Sequence, residues 1–136
     1  MIHKLFVDTS WFKAIADPAD DFSEIASDQF EVLMKNETLL ITTNYVLDEA
    51  FTLLRTRLDL QSALDFREML VQMGNRLKLV RILPQDEEDA WKWFPENWSK
   101  LSFTDCTSFA VMKRLGLTDV ATFDQHFAKA GFKIFK

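Results

Sequence analysis

Lys4-Leu5-Phe6-Val7-Asp8-Thr9-Ser10 decides the fold, because a short apolar run leads straight into an aspartate and two hydroxyl side chains able to cap a helix. A run of this length, bounded by a polar residue, reads as a buried strand. The next residues read as a helix, with Thr9 or Ser10 as its cap, Trp11, Phe12 and Ile15 on its apolar side, and Asp17-Pro18 as its stop. Strand passing at once to helix is how a parallel β-α-β unit begins.

The pattern repeats along the chain. Phe22, Ile25, Ala26, Phe30, Leu33 and Met34 recur at three- and four-residue steps, which predicts a helix ending near Asn36, and Leu39-Leu40-Ile41 is the second strand. Thr42-Thr43-Asn44 supplies caps for a helix from Tyr45 to Leu58. A second helix from Leu60 to Met73 stops at Gly74-Asn75, and the two form a hairpin. Leu77 to Leu83 reads as the third strand, broken by Pro84, and Gln85 to Trp98 as a helix interrupted at Pro95. Ser102-Phe103-Thr104-Asp105 has the form of a capping box and opens a helix to Leu115 that Gly116 closes. Val120 to Phe123 is the fourth strand, ending at Asp124. A short helix then reaches Gly131, and Phe132 to Phe135 is the fifth strand. Strands alternating with helices imply a parallel sheet covered on both faces, since parallel neighbours need crossovers.

Composition agrees with one folded unit over residues 1–136. Hydrophobic residues make up 48% and charged residues 27%, the balance of a globular chain rather than a disordered one. No apolar stretch approaches the roughly 20 residues of a membrane span, and Met1-Ile2-His3-Lys4 runs into a strand with no secretion signal. A single cysteine, Cys106, allows no internal disulfide, so the expected compartment is the cytoplasm. The net charge of −5 argues against binding nucleic acid by bulk positive charge. Setting aside four carboxylates committed to cations would leave the remaining charge near neutral.

Ligands of open parallel sheets bind beyond the carboxyl ends of the strands, which singles out Asp8 and Asp124. Either could serve only as a helix cap. Helical spacing separates Asp48 from Glu49: Asp48 shares a face with Thr52 and Arg55, Glu49 with Tyr45, Val46 and Leu53. Glu49 therefore points inward, where a carboxylate needs a partner or a metal. Asp105 lies in line with Phe109 and Met112 in the first turn of its helix, where capping and facing a cation both remain open. Four such acids without a basic partner would repel one another, and divalent cations relieve that repulsion.

Other residues carry blander readings. His126 reads as a surface histidine opening a short helix, although a ligand or proton-shuttle role fits its position two residues after Asp124. Cys106 has no histidine to activate it and reads as a packing residue. Trp91, Trp93, Phe94 and Trp98 read as core or interface aromatics before base-stacking ones. Arg55, Arg57 and Arg67 read as a solvated face.

Taken in order, Phe6-Val7-Asp8-Thr9-Ser10, Thr43-Asn44-Tyr45-Val46-Leu47-Asp48-Glu49, Ser102-Phe103-Thr104-Asp105-Cys106 and Thr122-Phe123-Asp124 resemble the PIN-domain ribonucleases, including the toxins of VapBC-type toxin–antitoxin pairs. The resemblance spans Met1 to Lys136. It implies a three-layer α/β/α domain with a five-stranded parallel sheet, dependence on Mg²⁺ or Mn²⁺, endonucleolytic cleavage of RNA, a homodimer and a cognate antitoxin. Asp8, Glu49, Asp105 and Asp124 stand at the family's four acidic positions, with Thr9, Ser10 and Thr104 as supporting hydroxyls. Two alternatives stand beside this reading. One is a non-catalytic protein-binding α/β module whose partner fills an acidic cleft; the other, a phosphoryl-accepting switch domain on Asp8, lacks the expected lysine near the last strand end.

Overall fold

The five strands lie parallel in one sheet of order β3-β2-β1-β4-β5, where β1 is Lys4–Val7, β2 Leu39–Thr43, β3 Leu77–Val80, β4 Asp119–Ala121 and β5 Lys133–Ile134. This computed structural model describes residues 2–136; Met1, where the span read from the sequence begins, lies outside them. Two helices, α1 (Thr9–Ala16) and α2 (Ser23–Lys35), join β1 to β2. Helices α3 (Asn44–Arg57) and α4 (Leu60–Met73) join β2 to β3, followed by a single 3-10 turn at Gly74–Arg76. The chain then returns across the sheet through α5 (Pro84–Ala90) and α6 (Phe103–Leu115), and α7 (His126–Lys129) links β4 to β5.

Right-handed crossovers that advance in opposite directions cover opposite faces, so α1 to α4 form one layer and α5 to α7 the other. Most of the helix packing falls within these layers, α1 touching α2 and α3, α3 touching α4, and α6 touching α5 and α7, while α3 of one layer also meets α6 of the other. The direction of winding reverses between β1 and β4, which makes the crevice above their carboxyl ends the natural binding place of the sheet. These central strands are sealed on both sides. Leu5, Phe6, Val7, Val120 and Ala121 have no exposed surface, which is why the sequence there runs apolar without alternation. Phe6 meets Phe127, and Phe127 meets Phe109 edge-on, building the core under α6 and α7. Trp11 and Phe12 fill the opposite side, with Phe66 of α4 edge-on to Phe12.

Four local expectations are corrected. The cap of α1 is Asp8 rather than Thr9 or Ser10: its carboxylate accepts from the Ser10 amide while Thr9 is already helical. Strand β4 ends at Ala121, because the Phe123 amide donates to Ser10 Oγ and the Asp124 amide to Thr122 Oγ1 instead of to a sheet neighbour. Strand β3 stops at Val80, and the Ile82 amide turns to Asn44 Oδ1 at 2.8 Å. The helix expected from Gln85 to Trp98 covers only Pro84–Ala90. Pro84 opens it, having no amide proton to leave unpaired, and the chain beyond is turns. Phe94 precedes Pro95, which disfavours helical geometry, and Trp91 and Phe94 instead pack against Phe103.

Candidate functional site

Asp8, Glu49, Asp105 and Asp124 line one open cavity of 240 Å³ at the carboxyl edge of the sheet, together with Thr9, Ser10, Lys13, Lys100 and Ser102. Each acid arrives from a different element. Asp8 follows β1, Glu49 sits on α3, Asp105 lies in the first turn of α6, and Asp124 follows β4.

Asp8 is 3% exposed, and hydroxyls hold it in place. Thr122 Oγ1 donates to its Oδ2 at 2.8 Å and Ser10 Oγ to the same oxygen at 3.0 Å. Ser10 Oγ in turn accepts from the Phe123 amide at 2.9 Å, so the loop after β4 is tied to the start of α1 through the acid itself. Burial pushes the Asp8 carboxyl up to about 6, with these hydrogen bonds pulling the other way and the charge of Asp124 adding to the rise.

Asp105 is set by the capping box of α6. Its Oδ2 accepts from the Ser102 amide at 3.1 Å, and its own amide donates to Ser102 Oγ at 3.0 Å. Burial raises its carboxyl to about 7, helped by the negative charges of Asp8, Asp124 and Glu49. One carboxyl that feels three others is the electrostatic signature of acids gathered in a small space. Among the described residues no lysine or arginine forms an ion pair with any of the four, and Lys13, though it lines the cavity, is held by Asp17 and Asp20.

The basic group that does meet the acids is one the sequence reading placed at the surface. The His126 side chain is 12% exposed, with Nδ1 at 2.9 Å from Asp124 Oδ1 and 3.4 Å from Asp105 Oδ2. Sequence proximity to Asp124 was the available hint; the approach of Asp105, from α6, lies beyond local reading. Thr122 was likewise missed, although its hydroxyl at a strand end was visible beside Asp124. Of the three hydroxyls expected to support the acids, Ser10 binds Asp8 directly. Thr9 lines the cavity with its Oγ1 buried and without a partner among the described residues. Thr104 faces a neighbouring groove with Asp48, Glu49, Thr52 and Arg57, and Ser102 takes its place beside Asp105.

The remaining side chains divide clearly. Cys106 is fully buried, and burial followed by the charge of Asp105 raises its thiol to about 12, which removes it as a nucleophile. Trp93 packs edge-on against Phe109 and Trp98 lies over His126, whereas Trp91 and Phe94 are exposed. Arg55, Arg57 and Arg67 are exposed, as a solvated face requires.

A parallel sheet with acids from four elements at its switch point defines the class as an α/β domain with an acidic cleft at its binding edge. A family model for the PIN domain matches residues 5–133, and the chain belongs to that family. A relative, the 23S rRNA-specific endonuclease VapC20 of Mycobacterium tuberculosis, is 30% identical over 129 residues that cover 94% of this chain and 95% of VapC20. The crystal structure of Mycobacterium tuberculosis VapC20, described as a sarcin-ricin loop cleaving toxin, aligns with a TM-score of 0.80 over 94% of this chain and 95% of that one. FitAcB from Neisseria gonorrhoeae aligns with a TM-score of 0.65 at 16% identity, covering 97% of this chain and 96% of that one. PAE2754 from Pyrobaculum aerophilum gives 0.62 at 18% identity, covering 98% and 89%. These two speak to the fold alone.

Proposed function

We propose that residues 1–136 act as one divalent-metal-dependent endoribonuclease domain, with Asp8, Glu49, Asp105 and Asp124 holding Mg²⁺ or Mn²⁺. The observation that carries this reading is the gathering of four carboxylates around one cavity without a lysine or arginine partner among the described residues. Oxygen donors crowded together suit hard dications. The buried, unpartnered Oγ1 of Thr9 adds a polar atom that a hydrated ion would satisfy.

When bound, such an ion lowers the pKa of water and neutralises charge on the scissile phosphate. The chain's own part is placement. Thr122 and Ser10 fix the Asp8 carboxylate, Ser102 fixes that of Asp105, and the His126 amide holds Asp124 Oδ1 at 2.9 Å. Lys100 at the cavity rim offers a positive charge to an incoming phosphate backbone. With a net charge of −5, that local contact matters more than any bulk attraction.

The similarity to VapC20 supports a structured ribosomal RNA loop as substrate, cleaved in the cytoplasm, and the role of toxin in a toxin–antitoxin pair. Exposed apolar rows support a cognate antitoxin and a second copy of the chain as partners. Leu60, Leu64 and Val71 share one face of α4, and Ile25 and Val32 one face of α2, all at least 49% exposed.

The test is to incubate the purified protein with ribosomal RNA in Mg²⁺ and in Mn²⁺. Discrete cleavage that EDTA abolishes and added metal restores is the expected result. An Asp8→Asn variant that folds and still cleaves at full rate would refute the assignment. Intact RNA with the wild-type protein would favour the non-catalytic module with an acidic cleft.

A further inference from the structure

His126 is engaged at both of its ring nitrogens. Its Nε2 lies 2.7 Å from the backbone carbonyl of Ser99. A carbonyl oxygen only accepts, so Nε2 must carry the proton and donate. In the neutral ring that leaves Nδ1 as a lone pair. This lone pair faces oxygen acceptors on every near side: Asp124 Oδ1 at 2.9 Å, Asp124 Oδ2 at 3.0 Å and Asp105 Oδ2 at 3.4 Å. Acceptor against acceptor is repulsive, so the contact is favourable when a positive centre is shared between them, either a proton on Nδ1 or a metal cation in its place.

We propose that His126 Nδ1 is a metal ligand, forming with Asp105 and Asp124 a mixed nitrogen and oxygen subsite at one side of the acidic cavity. The inference rests on the metal-dependent reading above and goes beyond it by adding a nitrogen donor to a set of carboxylates. Three features carry it. The ligand atoms of Asp105, Asp124 and His126 all lie within 4.8 Å of one another. Adjacent ligands of an octahedral ion bonded at about 2.1 Å stand about 3 Å apart, and the Nδ1–oxygen separations here, 2.9 to 3.4 Å, match that edge. The Nε2–H donated to a backbone carbonyl is the arrangement that fixes tautomer and ring direction in histidines that bind metals through the other nitrogen.

The surroundings hold the ring ready. Trp98 lies nearly parallel to it, with centroids 6.3 Å apart and planes 11° from parallel. The His126 amide donates to Asp124 Oδ1, so ligand and ligand are braced by the same turn. A nitrogen donor shifts preference away from Mg²⁺ and towards transition-metal dications, for which imidazole is a good ligand.

The experiment uses the full chain loaded with Mn²⁺ alone, read by electron spin-echo modulation. The expected result is a ¹⁴N modulation from a directly bound imidazole, replaced by ¹⁵N lines when only histidine is ¹⁵N-labelled. His126→Gln should abolish it and reduce the preference for Mn²⁺ over Mg²⁺ by roughly ten-fold. The wild-type spectrum decides the matter even if that variant misfolds. Mn²⁺ bound with no nitrogen coupling overturns the His126 assignment and leaves the carboxylate site standing, whereas failure to bind Mn²⁺ overturns both.

Discussion

At the scale of single residues, the acids that suit the site to metal are the ones that strain the fold without it. Asp8 is buried, and its ionised form is held by hydroxyls rather than by an opposite charge. Replacing it by Asn keeps the shape and removes a buried negative charge from beside Asp124 and Asp105. Asp8→Asn should therefore lower RNA cleavage by at least a hundred-fold while raising the metal-free melting temperature at pH 7, the usual opposition between function and stability at a charged site. Cleavage rates and thermal melts of the same preparations check both halves. Thr122 gives a finer test. Thr122→Val keeps the β-branched shape but removes the hydroxyl that donates to Asp8 Oδ2 and accepts from the Asp124 amide. Cleavage should fall about ten-fold, by analogy with loss of a group that orients a metal ligand, with the fold retained by circular dichroism. Unchanged activity would mean that Thr122 does not position the acid.

At the scale of elements, the two helices of the return crossover depend on a pair separated by 28 residues. Arg114 at the end of α6 grips Asp86 in the first turn of α5 with both arms, Nε to Oδ1 at 2.8 Å and the terminal nitrogen to Oδ2 at 2.9 Å. Burial works against the Asp86 charge, yet Arg114 and the Leu83 amide outweigh it and hold the carboxyl below its ordinary value. Arg114→Ala leaves this 1%-exposed acid without its partner and should cost about 3 kcal/mol in urea denaturation. A loss below a few tenths of that would show the pair to be idle. This pair also marks where sequence reading stops. The capping box at Ser102–Asp105 and the strand ending at Asp8 were legible because their partners lie within a few residues. The 28-residue link between Asp86 and Arg114, and the 27-residue link between His126 and Ser99, depend on how α5, α6 and the turns between them pack. Periodicity carries no information about that packing, so His126 read as exposed and the Trp91–Trp98 segment as helix. Membership of the inward acids was readable for the opposite reason: Glu49 betrayed itself by sharing a helical face with Val46 and Leu53, and the sheet order then brought it to the other three.

At the scale of the whole molecule, the gathered acids make stability respond to pH and to cations in opposite directions. Asp8 rises to about 6 and Asp105 to about 7, against an ordinary value of 3.8 that the unfolded chain retains. Between pH 4 and 7 the folded protein thus keeps protons that the unfolded chain has released. Stability from this source is fully present below about pH 4 and is lost as pH rises through 6 and 7. The metal-free melting temperature should accordingly fall across that interval, and the fall should shrink in Asp8→Asn and further in the Asp8→Asn, Asp105→Asn double variant. A dication competes with those protons for the same oxygens, so its effect should run the other way, growing as pH rises from 5 to 7.5. At a hundred times its dissociation constant it should add about 2.7 kcal/mol at the upper end, and EDTA should remove that increment. Melting curves in EDTA and in Mn²⁺ over this range test the coupling directly. A metal-free protein that gains stability with pH, by an amount the double variant leaves unchanged, would mean that the carboxyls are already ionised in the fold. The cavity would then have no protons to exchange for a cation, and the cation effect should lose its dependence on pH.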